Sequence, residues 1–262
     1  MKFAGIDIGS LTGKAIILED GKILASAVIR VRRNPVQTSE EVYHLALGKL
    51  DLVPEDIAFC VGTGYGREKI PFATKTISEI SCHGKGAYVC NPGIRTIIDV
   101  GGQDCKVIML DNAGNLKDFV MNEKCAAGTG RYLELMADLL GLSLDELGAL
   151  SLKARMPVQL TSVCSIYAQA EVLQLISQKT KKEDIAAGVN KAMAERVAAM
   201  AKKLQLHEAF AVTGGVAKNK GVVLNLERLL GINFTPLPVD PQIIGALGAA
   251  YIAQDSIKFH TR

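Results

Sequence analysis

IDIGSLTGKAIIL, residues 6–18, and IDVGGQDCKVIML, residues 98–110, are two copies of one pattern at a constant offset of 92 residues. The offset pairs Asp7 with Asp99, Gly9 with Gly101, Lys14 with Lys106 and Leu18 with Leu110. Each copy runs on through a turn into a third apolar stretch, EDGKILASAVI after the first and DNAGNLKDFVM after the second. An Asp followed by Gly between two strand-like runs reads as a hairpin whose tight turn faces a charged ligand. Two such hairpins imply two similar lobes closing on one ligand, and a phosphate clamp is the leading reading.

The chain's 262 residues suit one or two domains, and 48% apolar residues supply a sizeable core. The net charge of +3 comes from scattered basic residues, which speaks against nucleic-acid binding. The cluster Arg30, Arg32 and Arg33 reads as a solvated loop after a strand. No apolar stretch approaches the roughly 20 residues of a membrane span. MKFAGIDIG goes straight into a strand without a leader pattern, so a cytoplasmic setting is expected. The six cysteines are then reduced thiols or metal ligands.

Strands are predicted at 2–8, 14–19, 22–30, 57–64 and 209–215. Helices are predicted at about 38–50, with Thr38 or Ser39 as N-cap and Glu41 in the first turn, at about 79–90, through most of 128–206, and after PQIIGALGAAYIA. Strands interleaved with helices make the fold class α/β. The lobe boundary is expected near 90–95, giving lobes 1–93 and 94–242, with the last helix, 243–262, packing back on the first.

Three glycine turns follow predicted strands: Gly9-Ser10-Leu11-Thr12-Gly13-Lys14, Gly101-Gly102-Gln103-Asp104 and Thr213-Gly214-Gly215. Glycine lets the backbone turn tightly and bring N–H groups against phosphate oxygens. Ser10 and Thr12 add neutral donors and Lys14 a charge. Asp7 and Asp99 repel phosphate, so they read as holders of Mg²⁺ or its water shell. Neither a P-loop GxxxxGK[ST] nor a Rossmann GxGxxG is present.

DIGS, DVGGQD and TGGVAKN resemble the two phosphate motifs and the adenosine motif of the actin, sugar-kinase and heat-shock-chaperone ATPase superfamily. That resemblance implies two ribonuclease-H-like lobes holding ATP or ADP. It assigns Gly9, Ser10 and Thr12 to phosphate loop 1, and Gly101, Gly102 and Gln103 to loop 2. Thr213, Gly214 and Gly215 fall in the adenosine loop, with Gly245 and Ala246 in the turn before the last helix.

Cys125, in NEKCAAGTGRYLELMADLLG, and Cys164, in TSVCSIYAQAEVLQLISQ, each stand at the start of a helix-like run. Gly141 ends the first run; Ile166, Leu173 and Ile176 mark a face of the second. Free N–H groups and the helix dipole favour a thiolate there. An iron–sulfur cubane takes four thiolates, which a symmetric dimer supplies as two per subunit. Buried, inert thiols are the plain alternative. Cys60, Cys90 and Cys105 read as structural, and Cys82-His83 lacks the second pair that a metal site needs.

GTGYGR (62–67), SEISCHGKGA (78–87), IDVGGQD (98–104), NEKCAAGTGR (122–131) and TGGVAKN (213–219) span most of the chain. Together they closely resemble the ATP-dependent activators of 2-hydroxyacyl-CoA dehydratases, a family that includes the ATPase subunits of benzoyl-CoA reductases. The resemblance implies a homodimer with one [4Fe–4S] cluster bridging the subunits through Cys125 and Cys164. It adds Gly128, Thr129 and Gly130 to the cofactor-binding positions. It also implies an oxygen-sensitive ATPase that passes low-potential electrons from ferredoxin or flavodoxin to a partner iron–sulfur dehydratase or reductase. Asp7 and Asp99 then hold Mg²⁺, and Gln103 or Asp104 orients the attacking water. Two positions depart from the family pattern: Gln169 replaces an expected Glu, and Cys105 a small or apolar residue. They leave open a related double-cubane reductase as the partner. A small-molecule kinase of the same superfamily, which has no use for Cys125 and Cys164, or a nucleotide-dependent scaffold, which would polymerise, is the alternative.

Overall fold

The computed structural model describes residues 1–122, 126–160 and 164–258. The chain packs into two compact units. The first comprises Met1–Ile97, Ile108–Asp118 and Pro236–Arg262, and the second Ile98–Val107 and Phe119–Thr235.

The first unit opens with the strands β1 (Lys2–Ile8), β2 (Thr12–Glu19) and β3 (Lys22–Arg30), followed by α1 (Pro35–Gly48), β4 (Ile57–Thr63), β5 (Lys75–Thr76) and α2 (Glu79–Cys90). Its sheet has the order β3-β2-β1-β4-β5, with β1 antiparallel to β2 and parallel to β4. Ile6, Ile8, Ala15 and Ile17 form a core with Val42, Tyr43 and Leu47 of α1. The α1 N-cap is Asn34, whose side chain accepts from Val36 N–H; Pro35 occupies the first helical position. The helix therefore starts earlier than its hydroxyl residues suggest. Thr38 and Ser39 are buried inside it, and Glu41, beyond the first turn, holds Arg32 through two 2.7 Å bonds. The last helix, α8 (Ile244–Lys258), belongs to this unit. It lies so close to β1 that a Cβ on Gly5 would collide with the Ala246 carbonyl.

The second sheet has the order β8-β7-β6-β9, built from β6 (Thr96–Val100), β7 (Cys105–Leu110), β8 (Leu116–Asn122) and β9 (Phe210–Thr213). The second unit carries the helices α3 (Gly130–Leu140), α4 (Leu144–Ser151), α5 (Ser165–Ser177), α6 (Lys182–Ala201) and α7 (Lys220–Leu230). Gly141 ends α3 in the left-handed region, as the sequence predicts. The 182–205 stretch reads as an ordinary amphipathic helix, and α6 is buried along most of its length in this unit. Asp184 through Asn190 are all sealed, and Val189, Met193 and Val197 join Leu133, Met136 and Val222 in one core. Small residues allow this: a Cβ on Gly188 would stand 2.6 Å from the Val158 carbonyl oxygen.

Candidate functional site

In the first unit, β1 delivers Asp7 to the sheet's end, where it is buried and lies opposite Lys14 of β2. The Lys14 Nζ–Asp7 Oδ2 distance is 3.1 Å. Between them Gly9, Ser10 and Thr12 are partly exposed, and Gly9 N–H donates to the Thr12 carbonyl at 3.0 Å. The backbone after β4 closes on the same carboxylate. Gly64 has φ +89°, and a Cβ there would strike Asp7 Oδ1. Gly245 and Ala246 lie in the first turn of α8 and not in the turn before it. Ala246 is fully buried. A Cβ on Gly245 would lie 2.8 Å from His83 Nε2 and 2.9 Å from Asp7 Oδ2. The arrangement joins Asp7, Lys14, His83 and the loop 9–12 around one buried carboxylate.

The second unit repeats the device with additions. Asp99 is the penultimate residue of β6 and is buried. Its Oδ1 accepts from Thr213 Oγ1 at 2.8 Å, and its Oδ2 lies 3.5 Å from Lys106 Nζ. Gly214 continues from Thr213 at φ +85°, and a Cβ there would collide with the Val100 carbonyl. Only glycine lets this loop pass. Gly101 N–H donates to the Asp104 carbonyl at 3.0 Å, and the Asp104 carboxylate stands 2.9 Å from Lys106 Nζ. Gln103 and Gly215 are exposed. The carbonyls of Gly101 and Gly102 accept from Gly130 and Arg131 N–H at 2.8 Å each, so loop 101–104 caps the start of α3. Gly128 and Thr129 are buried just ahead of it, Thr129 as N-cap. Two backbone hydrogen bonds thus tie loop 101–104 to the first residues of α3. Asn219 of the TGGVAKN stretch caps α7 and joins a buried amide network with Asn190 and Ser151.

Cys125 lies outside the described residues. Cys164 is the N-cap of α5 and the one exposed cysteine among the five described. Burial pushes the Cys60 and Cys82 thiols up to about 12 and Cys90 to about 11; it drives Cys105 higher still. These four stay protonated thiols, in keeping with a structural role. Next to Cys164, the Ser165 hydroxyl is buried without a hydrogen-bond partner among the described residues. A hydroxyl donor beside an exposed thiol at a helix start can hydrogen-bond a thiolate or an anion held there. The described residues include no group of three or more His, Cys, Asp and Glu able to hold a metal ion. The face of α5 marked by Ile166, Leu173 and Ile176 points outward: Ile166 is 73% and Tyr167 69% exposed, while Ala168 and Val172 face the core.

The profile of the BadF/BadG/BcrA/BcrD ATPase family matches residues 4–253. The chain belongs to this family. It is 42% identical over 258 residues to the 2-hydroxyisocaproyl-CoA dehydratase activator of Clostridioides difficile, covering 97% of this chain and 95% of the relative. It is 42% identical to the (R)-2-hydroxyglutaryl-CoA dehydratase activating ATPase of Acidaminococcus fermentans, with 95% of each covered. Its fold superposes with TM-score 0.96 on the structure of the activator of the 2-hydroxyisocaproyl-CoA dehydratase from Clostridium difficile with bound ADPNP, at 41% identity, covering 100% of this chain and 97% of that one. The α/β class and the superfamily expected from the phosphate motifs hold for this BadF/BadG/BcrA/BcrD ATPase.

Two residues of this family member escaped the sequence reading. Lys106 carries its signal in the duplication, as the partner of Lys14. His83 carries none, because only α2 and α8 packing in one unit bring it beside Asp7. The thiol environments give a direct expectation. After chelation of any iron, alkylation of the folded protein at neutral pH labels Cys164 within minutes. Cys60, Cys82 and Cys105 react only on unfolding, as peptide mass spectrometry will read. Equal rates at all four sites would contradict the burial pattern.

Proposed function

We propose that the chain is an ATP-dependent activator that delivers low-potential electrons, one at a time, to a partner iron–sulfur enzyme of the 2-hydroxyacyl-CoA dehydratase class or a related reductase. The observation that carries this reading is the exposed Cys164 at the start of α5, in a protein whose glycine loops each present a buried carboxylate. The two lobes are read as residues 1–93 with the last helix, and 94–242. Cys125 and Cys164 hold one [4Fe–4S] cluster together with the same residues of a second copy. When bound, such a cluster supplies a one-electron couple at a potential set by charge, hydrogen bonds and exposure. Ser165 and the free N–H groups of α5 stabilise the thiolate side of it.

Phosphoryl transfer relies on positioning and electrostatics. The N–H groups of loop 9–12 and loop 101–104, with Ser10, Thr12 and Lys14, cradle the phosphates. Gly128, Thr129 and Gly130 adjoin loop 101–104, and Thr213–Gly215 with Gly245 and Ala246 receive the nucleoside. Asp7 and Asp99 offer the hard oxygen donors that Mg²⁺ takes, and Gln103 or Asp104 orients the attacking water. Loop 101–104 is bonded to the start of α3, and α3 packs on α5. This continuity gives nucleotide state a physical route to Cys164, which requires two conformations of different ATP affinity. A ferredoxin or flavodoxin donor and a cytoplasmic, oxygen-free setting complete the reading.

The outward apolar face of α5 supports the homodimer. Ile166→Glu should weaken self-association by about 100-fold or more, since the two copies together lose about 3–6 kcal/mol of apolar contact. At concentrations where the wild type is monomeric its melting temperature should match the wild type, because the side chain is exposed within the chain. Sedimentation at graded concentrations checks this; an unaltered dimer would remove α5 from the interface. The activity itself is tested anaerobically with a low-potential reductant, ATP and a 2-hydroxyacyl-CoA dehydratase. ATP-dependent appearance of dehydratase turnover is the expected outcome. A colourless protein that phosphorylates a small molecule would establish the kinase alternative.

A further inference from the structure

Lys106 is among the largest fully buried side chains of the described residues, with its side chain 1% exposed. A buried ammonium is costly unless paired and hydrogen-bonded. Here Asp104 Oδ1 lies at 2.9 Å and Asp99 Oδ2 at 3.5 Å, while the other Asp99 oxygen takes the Thr213 hydroxyl. The corresponding Lys14 is different. Its side chain is 12% exposed, and among the described residues its ion pair is with Asp7. At the position where loop 2 has Asp104, loop 1 has Thr12. The copies have therefore diverged: one lysine is open enough to meet a phosphate, and the other is sealed behind two carboxylates.

We propose that Lys106 is a positioning residue for phosphoryl transfer: it never meets the nucleotide, and it holds the Asp99 and Asp104 carboxylates in one arrangement that a divalent cation with its nucleotide can use. The inference rests on the ATPase reading above. Pre-organised carboxylates spare the reorganisation that would otherwise fall within the reaction. Lys106 contributes to turnover and to metal use, and Lys14 to nucleotide affinity.

The test is ADP binding by calorimetry with and without Mg²⁺, alongside steady-state ATP hydrolysis, on the full-length dimer. Lys106→Met should lower kcat about 100-fold with the ATP KM within about threefold, and should cut the Mg²⁺ enhancement of ADP affinity about tenfold. Lys14→Met should instead raise KM. Because Lys106→Met leaves two carboxylates facing a buried gap, Lys106→Met/Asp104→Asn provides a charge-matched second variant. It should fold, and its Mg²⁺ enhancement should fall well below that of Asp104→Asn alone, the comparison that isolates the lysine. A merely structural lysine would give variants with lower melting temperatures but wild-type Mg²⁺ enhancement and kcat per folded molecule, and that result overturns the proposal. Wild-type protein without Mg²⁺-dependent nucleotide binding would defeat the ATPase reading itself, a separate outcome.

Discussion

Cys164→Ala should purify without iron, fail to activate a dehydratase, and bind ADP as the wild type does. Cys164 stands exposed at the N-cap of α5. Its removal opens no cavity in the core, so the fold and the nucleotide loops stay intact. A cluster shared by two copies loses two of about four thiolates at once, which no nearby residue replaces. Among the described cysteines, Cys60, Cys82, Cys90 and Cys105 are held as protonated thiols by burial. Iron analysis and calorimetry on the same preparation check both halves. Loss of ADP binding together with the iron would contradict two separable sites.

Asp99→Asn should reduce ATP hydrolysis by about 10²–10³-fold, the scale seen when one pre-organised charge-stabilising group is removed. The carboxylate accepts the Thr213 hydroxyl, faces Lys106, and sits under the Gly214 backbone. An amide of the same shape keeps the Thr213 bond but brings an NH₂ or a neutral oxygen to the ammonium. Breaking a buried ion pair by removing one partner costs about 3–5 kcal/mol in the general case. Asp104 remains 2.9 Å from Lys106 and limits that loss. The variant should therefore fold with a lowered melting temperature and bind Mg²⁺-ADP weakly. Hydrolysis near the wild-type rate in a folded Asp99→Asn protein would remove Asp99 from the metal-holding role.

The two glycine turns beside Asp7 and Asp99 were legible in the sequence because both copies keep an Asp near a strand end followed by glycine. Cys164 at a helix start was legible for a similar reason: the apolar period begins just after it. Other features depend on tertiary contact. Lys106 within CKVIML looks like one solvent-facing residue of a strand, and only the packed second unit seals it. His83 beside Gly245 joins residues far apart in sequence. The start of α1 was misplaced because Asn34-Pro35 is a stronger N-terminal signal than Thr38 or Ser39. In α6, a lysine- and glutamate-bearing stretch conceals a buried helix, since alanine and glycine carry little hydrophobic signal yet permit close packing. The α5 face of Ile166 and Leu173 has the period of a core face, but periodicity does not say which partner covers it.

The measurement closest to the central claim is iron and acid-labile sulfide per chain, on protein purified without oxygen. The account predicts about two of each per chain, in a brown dimer, as one four-iron cluster shared by two copies requires. Values near zero after anaerobic reconstitution, in a folded protein that still binds ADP, would contradict it and leave Cys164 a solvent-exposed thiol.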